Sequence, residues 1–179
     1  MGLLKHCTRR VGALLLSVLL VPTLMLGQRR DEYDVKAAFL INLAKFVDWP
    51  VPDRSSQVLA ICIFGDDPFG RAIDLLTRDQ IIQGRTVEIR RLRSASEAVG
   101  CQMAFVRSEE REKASALLQA VRGLPVLTVG EELEFAQLGG AIYLPTANNR
   151  VDIVINPSAV EDAGLRLSAK LMSLATILP

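Results

Sequence analysis

The chain has a single histidine, His6, and it stands ahead of the first apolar run, far from everything else the sequence offers. Its loss from the remainder of the chain excludes Ser-His-Asp and Cys-His arrangements, histidine metal sites and the commonest general base. Aromatic residues make up only 5% of the chain, Trp49 being the one tryptophan. No C-x-x-C pair is present, so a redox dithiol of that kind is absent. There is no internal repeat, linker or low-complexity segment. Charge of one sign is also lacking. With residues 1 to 27 set aside, 18 of the 21 basic residues remain against 20 acidic ones, a net charge of −2. That leaves no electrostatic case for nucleic acid as a partner. Carboxylate pairs occur at Asp66-Asp67, Glu109-Glu110 and Glu131-Glu132. Adjacent acids at presumed helix starts read as self-caps, not as an acid/base couple. No catalytic residue, cofactor or metal is expected.

What is present begins at the N-terminus. Lys5, Arg9 and Arg10 precede an uncharged, largely apolar run from Val11 to Gly27, followed by Gln28-Arg29-Arg30-Asp31. This is the layout of a secretory signal peptide over residues 1–27. The alternative is an uncleaved N-terminal anchor, since the run is just long enough to span a bilayer. Either arrangement exports residues 28–179, which have the length and apolar content of one α/β domain.

Setting the same segment aside removes Cys7 and leaves Cys62 and Cys101. In an oxidising compartment an even number of cysteines is expected to pair. Cys62 lies inside the apolar run VLAICIF and Cys101 directly before QMAFV, so neighbouring strands would bring them together. The bond would close a loop of about 40 residues and contribute roughly 4 kcal/mol in the chain-entropy view. Two buried free thiols are the other reading.

The hydrophobic pattern predicts a helix from about Asp31 to Val47. Asp34, Asn42, Lys45 and Asp48 fall on one stripe, and Val35, Phe39, Leu43 and Phe46 on the face that must pack. Lys36 sits at the edge of that apolar side, either as a functional cation or with its stem snorkelling over the core. Trp49-Pro50-Val51-Pro52 ends the helix. Strand and helix signals then alternate: VLAICIF (58–64), a helix from Pro68 to about Leu76, TVEIRRL (86–92), QMAFV (102–106), a helix from Glu109 to about Arg122, and PVLTV (125–129). Ser108 is the expected cap of the second of these helices, with Gly123 at its end. The segment Gly65-Asp66-Asp67-Pro68-Phe69-Gly70 superficially resembles a dinucleotide-binding turn. Its two carboxylates would repel a pyrophosphate and Pro68 removes a donor, so it reads as a strand-to-helix turn with Asp67 as cap.

Further on, AIYLP (141–145) and VDIVI (151–155) flank Thr146-Ala147-Asn148-Asn149-Arg150, the pattern of a hairpin. Asn156-Pro157 opens a short helix closed by Gly164, and a last helical stretch is expected from about Ser168 to Ile177. The predicted architecture is three-layer α/β: a mostly parallel sheet with an antiparallel C-terminal hairpin and helices on both faces.

Four segments carry a resemblance to a known family. DVKAAFLINLAKFVDWP (34–50), ICIFGDDPFG (61–70), GGAIYL through NNRVDIVIN (139–156) and AGLRLSAKLMSLA (163–175) resemble the YfiR family of periplasmic proteins, in the same order. The resemblance implies a periplasmic α/β domain, usually dimeric. It implies a protein that binds the periplasmic domain of a YfiN-type membrane diguanylate cyclase and holds it inactive, lowering cyclic di-GMP and restraining biofilm formation. Cys62 and Cys101 match a family disulfide pair. The second cysteine pair of the best understood members has no counterpart here, and Val154 stands where a glutamate is common.

Candidate partner contacts are Trp49 at the exit of the first helix, Asn42 and Lys45 on its polar stripe, Lys36 beside it, and Arg150, Arg166 and Lys170 in the matched C-terminal segments. The bland reading is that Trp49 plugs the core and the arginines are solvated. An alternative function is a small-molecule sensor serving another membrane protein such as a histidine kinase, with a cleft at the carboxyl ends of the parallel strands. A hydrolase built on carboxylates alone would need inward-facing acids in one pocket, a geometry the adjacent pairs do not favour.

Overall fold

The structure, a computed structural model, describes residues 21–50, 57–107, 111–148 and 150–179, with side chains from Glu32 onward. A long helix α1 (Val21–Leu43) continues as a 3-10 turn over Ala44–Phe46 and strand β1 (Val47–Asp48). Then follow β2 (Val58–Phe64), α2 (Arg71–Thr77), β3 (Ile81–Ile82), β4 (Arg85–Leu92), a 3-10 turn over Ala95–Gly100, β5 (Met103–Val106) and α3 (Arg111–Ala120). The chain continues with β6 (Leu127–Gly130), α4 (Leu133–Gln137), β7 (Ile142–Tyr143), β8 (Thr146–Ala147), β9 (Arg150–Val151) and β10 (Val154–Ile155). It closes with α5 (Pro157–Asp162), β11 (Arg166–Leu167), α6 (Ala169–Leu174) and β12 (Thr176–Ile177).

Eight strands form one sheet in the order β12-β10-β7-β6-β5-β2-β4-β3. The five strands β4, β2, β5, β6 and β7 are mutually parallel. The chain leaves β2 for β4 on one side and then crosses to β5 on the other, the winding of a doubly wound sheet. Its topological switch therefore lies between the carboxyl ends of β2 and β5.

The central strand shows why both faces must be covered. Every residue of β2 after Val58 is buried, without the alternation of a half-exposed strand. Leu59, Ile61 and Ile63 join one core cluster with α1 and α2. Ala60, Cys62 and Phe64 join the other, with α3 and Phe135 of α4. Burying an aliphatic side chain of this size contributes about 1.5–3 kcal/mol, so this strand alone anchors both layers. Cys62 and Cys101 are bonded within the second layer, their Cα atoms 6.1 Å apart.

The expected hairpin forms between β7 and β10, with Tyr143 opposite Val154 and Ile142 opposite Ile155. Its tip continues as a separate ribbon of β8 and β9. Asn156 accepts a hydrogen bond from the Ala159 amide, and Gly164 has φ +65°, as a helix bounded by those residues requires.

Several local expectations are corrected. On the expected packing face Leu43 is buried and Phe39 and Phe46 pack half-buried against the core, but Val35 is 45% exposed; Ala37, Leu40, Ile41 and, in the following 3-10 turn, Ala44 fill the rest of the buried stripe. Small alanines count little in a hydrophobic pattern, yet they are what lets the helix lie close to the sheet. The final helix stops at Leu174, after which β12 adds to the sheet beside β10. Asp67 accepts hydrogen bonds from the Phe69 and Gly70 amides, so it fixes the turn ahead of α2, whose own N-terminal boundary is Gly70. Ser108, Glu109 and Glu110 lie outside the described residues, as do residues 1–20 of the expected signal peptide.

Candidate functional site

Two places bring together side chains that the packing alone does not explain. The first is a cleft of about 530 Å³ at the carboxyl ends of β5, β6 and β7, overhung by α1. Its floor is set by topology: Glu131 follows β6 directly and Arg107 follows β5 directly, so the parallel pairing of those strands aims both at α1. Lys36, only 3% exposed, meets them from the helix. Its Nζ lies 2.7 Å from Glu131 Oε1 and 2.6 Å from Glu32 Oε1, one helical turn earlier. Thr146 at the hairpin tip donates to the same Glu32 oxygen at 2.7 Å. The Tyr33 ring receives Lys36 at 5.1 Å and Arg107 at 5.8 Å from its centroid and packs edge-on against Phe69.

The electrostatics follow from this burial. Desolvation alone would pull the Lys36 ammonium down, but its hydrogen bonds to Glu131 and Glu32 outweigh it, and its pKa stands above the ordinary lysine value. Burial, and then the Glu131 carboxylate, push the Tyr33 phenol above its usual range while Arg107 and Lys36 oppose them. Lys36 therefore stays charged near neutral pH and serves as a counterion, not a base. Its head does not snorkel to water but turns inward to Glu131. Glu131 in turn is no helix self-cap; it is the inward partner of a buried ion pair. The signal that would have found it is the position right after a parallel strand, which the sequence shows only once the strand order is known. No group of three or more His, Cys, Asp or Glu side chains among the described residues is placed to hold a metal ion.

The second place is the opposite end of α1, where β1 pairs antiparallel with β11 and Asp48 faces Arg166. Ser168 donates its amide to Phe46 O, which fixes α6 beside the helix exit. Lys170 Nζ then stands 5.7 Å from the Phe46 ring centroid, and Lys45 donates to Asn42 Oδ1 at 2.9 Å. Four of the residues singled out in the sequence, Asn42, Lys45, Arg166 and Lys170, thus share one exposed face around this ribbon. A shallow apolar groove including Val160, Leu165, Leu167 and Met172 runs beside Arg166. Trp49 is half-buried and turned inward: its indole N–H donates to Gln102 O at 3.0 Å and Arg85 lies over its ring. Arg150 stands apart on β9, paired with Asp152 at 2.8 Å.

A disulfide-clipped, doubly wound α/β domain with a basic ribbon at one end and a polar cleft at the other is the class these features define. The sequence profile of the YfiR/HmsC-like family matches residues 33–176, and the chain belongs to that family. The family is one of periplasmic regulators tied to diguanylate cyclase signalling. Among curated proteins none matches the sequence. Of solved structures, a conserved domain protein from Vibrio cholerae superposes with a TM-score of 0.50 at 10% identity, over 79% of this chain and 59% of that one. The ABC domain from Streptococcus pneumonia, solved in complex with L-Trp, gives 0.49 at 9% identity, over 67% and 55%. The chain thus spans under two thirds of the length of either, and at such identity the Vibrio likeness concerns the fold alone. No helix among the described residues is long and apolar enough to cross a membrane.

Proposed function

We propose that the chain is exported by residues 1–27 and that residues 28–179 form a single regulatory domain in the periplasm. It binds the periplasmic domain of an inner-membrane diguanylate cyclase and holds that enzyme inactive, lowering cyclic di-GMP. The observation that carries this reading is the family match across nearly all of the folded chain. The mechanism needs no catalytic residue: a protein that binds only one conformation of a sensor domain shifts its equilibrium by its differential affinity for the two states.

The face best suited to the contact is the ribbon of β1 and β11, where Lys45, Arg166 and Lys170 surround the half-buried Phe46 and the apolar groove beside Arg166. A basic rim around an apolar centre fits an acidic, apolar-centred patch on the partner. Titration calorimetry of the purified protein against the periplasmic domain of a membrane sensor encoded beside it tests the reading. Saturable binding that is lost in the double variant Arg166→Glu/Lys170→Glu supports it. Undiminished binding by that variant rejects this face, and no binding by the folded, oxidised protein rejects the partner.

A further inference from the structure

We propose that a third cavity, of about 430 Å³ at the amino end of β6, binds a short apolar peptide whose two termini are both charged. It touches α5 through Ala159, Asp162 and Ala163, whereas the groove beside Arg166 uses Val160 and Glu161, so it is separate from the partner face. Ligands of open α/β sheets ordinarily sit at the other end of the strands, and a cavity here needs a cause of its own. The cause is that α3, α4 and α5 all end at this place and two of the ends turn through glycine. Gly123 has φ +71° and Gly139 φ +100°, and a Cβ added at either would meet nothing within 4 Å. The space between the helix ends is therefore left open by the turns themselves, and its size suits a small ligand.

Charge decides the class. The ionisable side chains lining the cavity are one cation, Arg122, and one anion, Asp162. Arg122 follows α3 and Asp162 is the last residue of α5; both are exposed at the rim, and they form no ion pair with each other or with another described residue. A ligand of one sign would answer one of these groups and leave the other. A zwitterion answers both. A peptide carries its carboxylate and its ammonium at opposite ends, which matches two rim groups on separate elements that do not meet.

The walls supply the second half of the recognition. Leu118, Val121, Val126, Leu138, Ala159 and Ala163 make them apolar, so the side chains between the two termini should be apolar as well. Thr128 adds one buried polar group. It is only 5% exposed, its Oγ1 accepts from the Ala141 amide at 3.0 Å, and its hydroxyl proton is donated to no described residue. A peptide carbonyl lying between the rim charges would give that proton an acceptor.

Calorimetric titration of the purified full-length protein with the dipeptide leucyl-leucine, its N-acetyl derivative, its C-terminal amide and free leucine tests the proposal. The dipeptide is expected to bind saturably, each blocked form about fivefold more weakly, the size of one exposed ion pair, and leucine more weakly than the dipeptide. Arg122→Gln and Asp162→Asn, both at exposed positions where the fold does not depend on them, assign the ends. Arg122→Gln should weaken the free dipeptide about fivefold and leave the amide unchanged; Asp162→Asn should do the same to the free dipeptide and leave the acetyl form unchanged. No saturable binding at millimolar dipeptide, blocked forms that bind as well as the free one, leucine that binds as tightly, or variants that weaken free and blocked peptides alike would each overturn the assignment.

Discussion

Replacing Lys36 by methionine keeps the volume and removes the ammonium, and the structure sets the consequence. The Glu131 side chain is only 9% exposed and would lose its ion pair with Lys36, itself 3% exposed. Breaking a buried pair by deleting one member costs about 3–5 kcal/mol, because the remaining charge stays desolvated. Glu32 is 27% exposed and turns to water easily, so the lower end of that range, about 3 kcal/mol, is the expected loss. With a urea m-value of about 2 kcal/mol per molar, the unfolding midpoint should fall by about 1.5 M with its slope unchanged. The double variant Lys36→Met/Glu131→Leu should recover most of the loss, since it removes both buried charges together. A single variant that unfolds within 0.3 M of the parent, or a double variant whose losses simply add, would refute the argument that this pair is a buried, coupled unit.

Three more outcomes follow from the same structure. Opening the Cys62–Cys101 bond, by Cys→Ala at both positions, should lower stability by about 4 kcal/mol, given the separation of 39 residues that it closes; chemical denaturation measures it. Gly140→Ala should destabilise by about 1–3 kcal/mol, because a Cβ there would collide with the Phe135 ring, whereas Gly100→Ala, with open space at the same position, should be near neutral. Stability should be level through neutral pH and fall as pH rises past about 10. Lys36 and Tyr33 both have folded pKa values raised above the ordinary 10.5 and 10.0, so their contribution is present below those values and lost above them. A midpoint that rises between pH 9 and 11 would contradict the signs assigned to both groups.

The long elements were legible because local pattern and tertiary role agree in them. VLAICIF is apolar throughout, and a strand buried on both faces has to be; TVEIRRL and QMAFV likewise fall within a residue or so of β4 and β5. The two-residue strands β3, β11 and β12 were not legible, since they exist only through their pairing with β4, β1 and β10. Ser168 to Ile177 has helical spacing, and Ser168 does cap α6, but the neighbouring edge of β10 captures Thr176 and Ile177. The site divides in the same way. Asn42, Lys45, Arg166 and Lys170 could be named from the sequence, though only the β1–β11 pairing puts them on one face. The cleft could be expected at the strand ends, but Glu131 and Tyr33 belong to it through strand order and helix placement, neither of which periodicity records. The Gly139-Gly140 pair has a physical account that its sequence did not disclose: Gly139 adopts φ +100° and Gly140 makes room for Phe135.

The central claim, that this protein restrains a membrane diguanylate cyclase through its periplasmic domain, is tested most directly by cyclic di-GMP itself. Intracellular levels, measured by mass spectrometry, would be compared in cells lacking the protein, cells carrying it, and cells carrying Arg166→Glu/Lys170→Glu at equal abundance. The account predicts high levels without the protein, low levels with it, and high levels again with the variant. Levels that do not change when the protein is removed would contradict it.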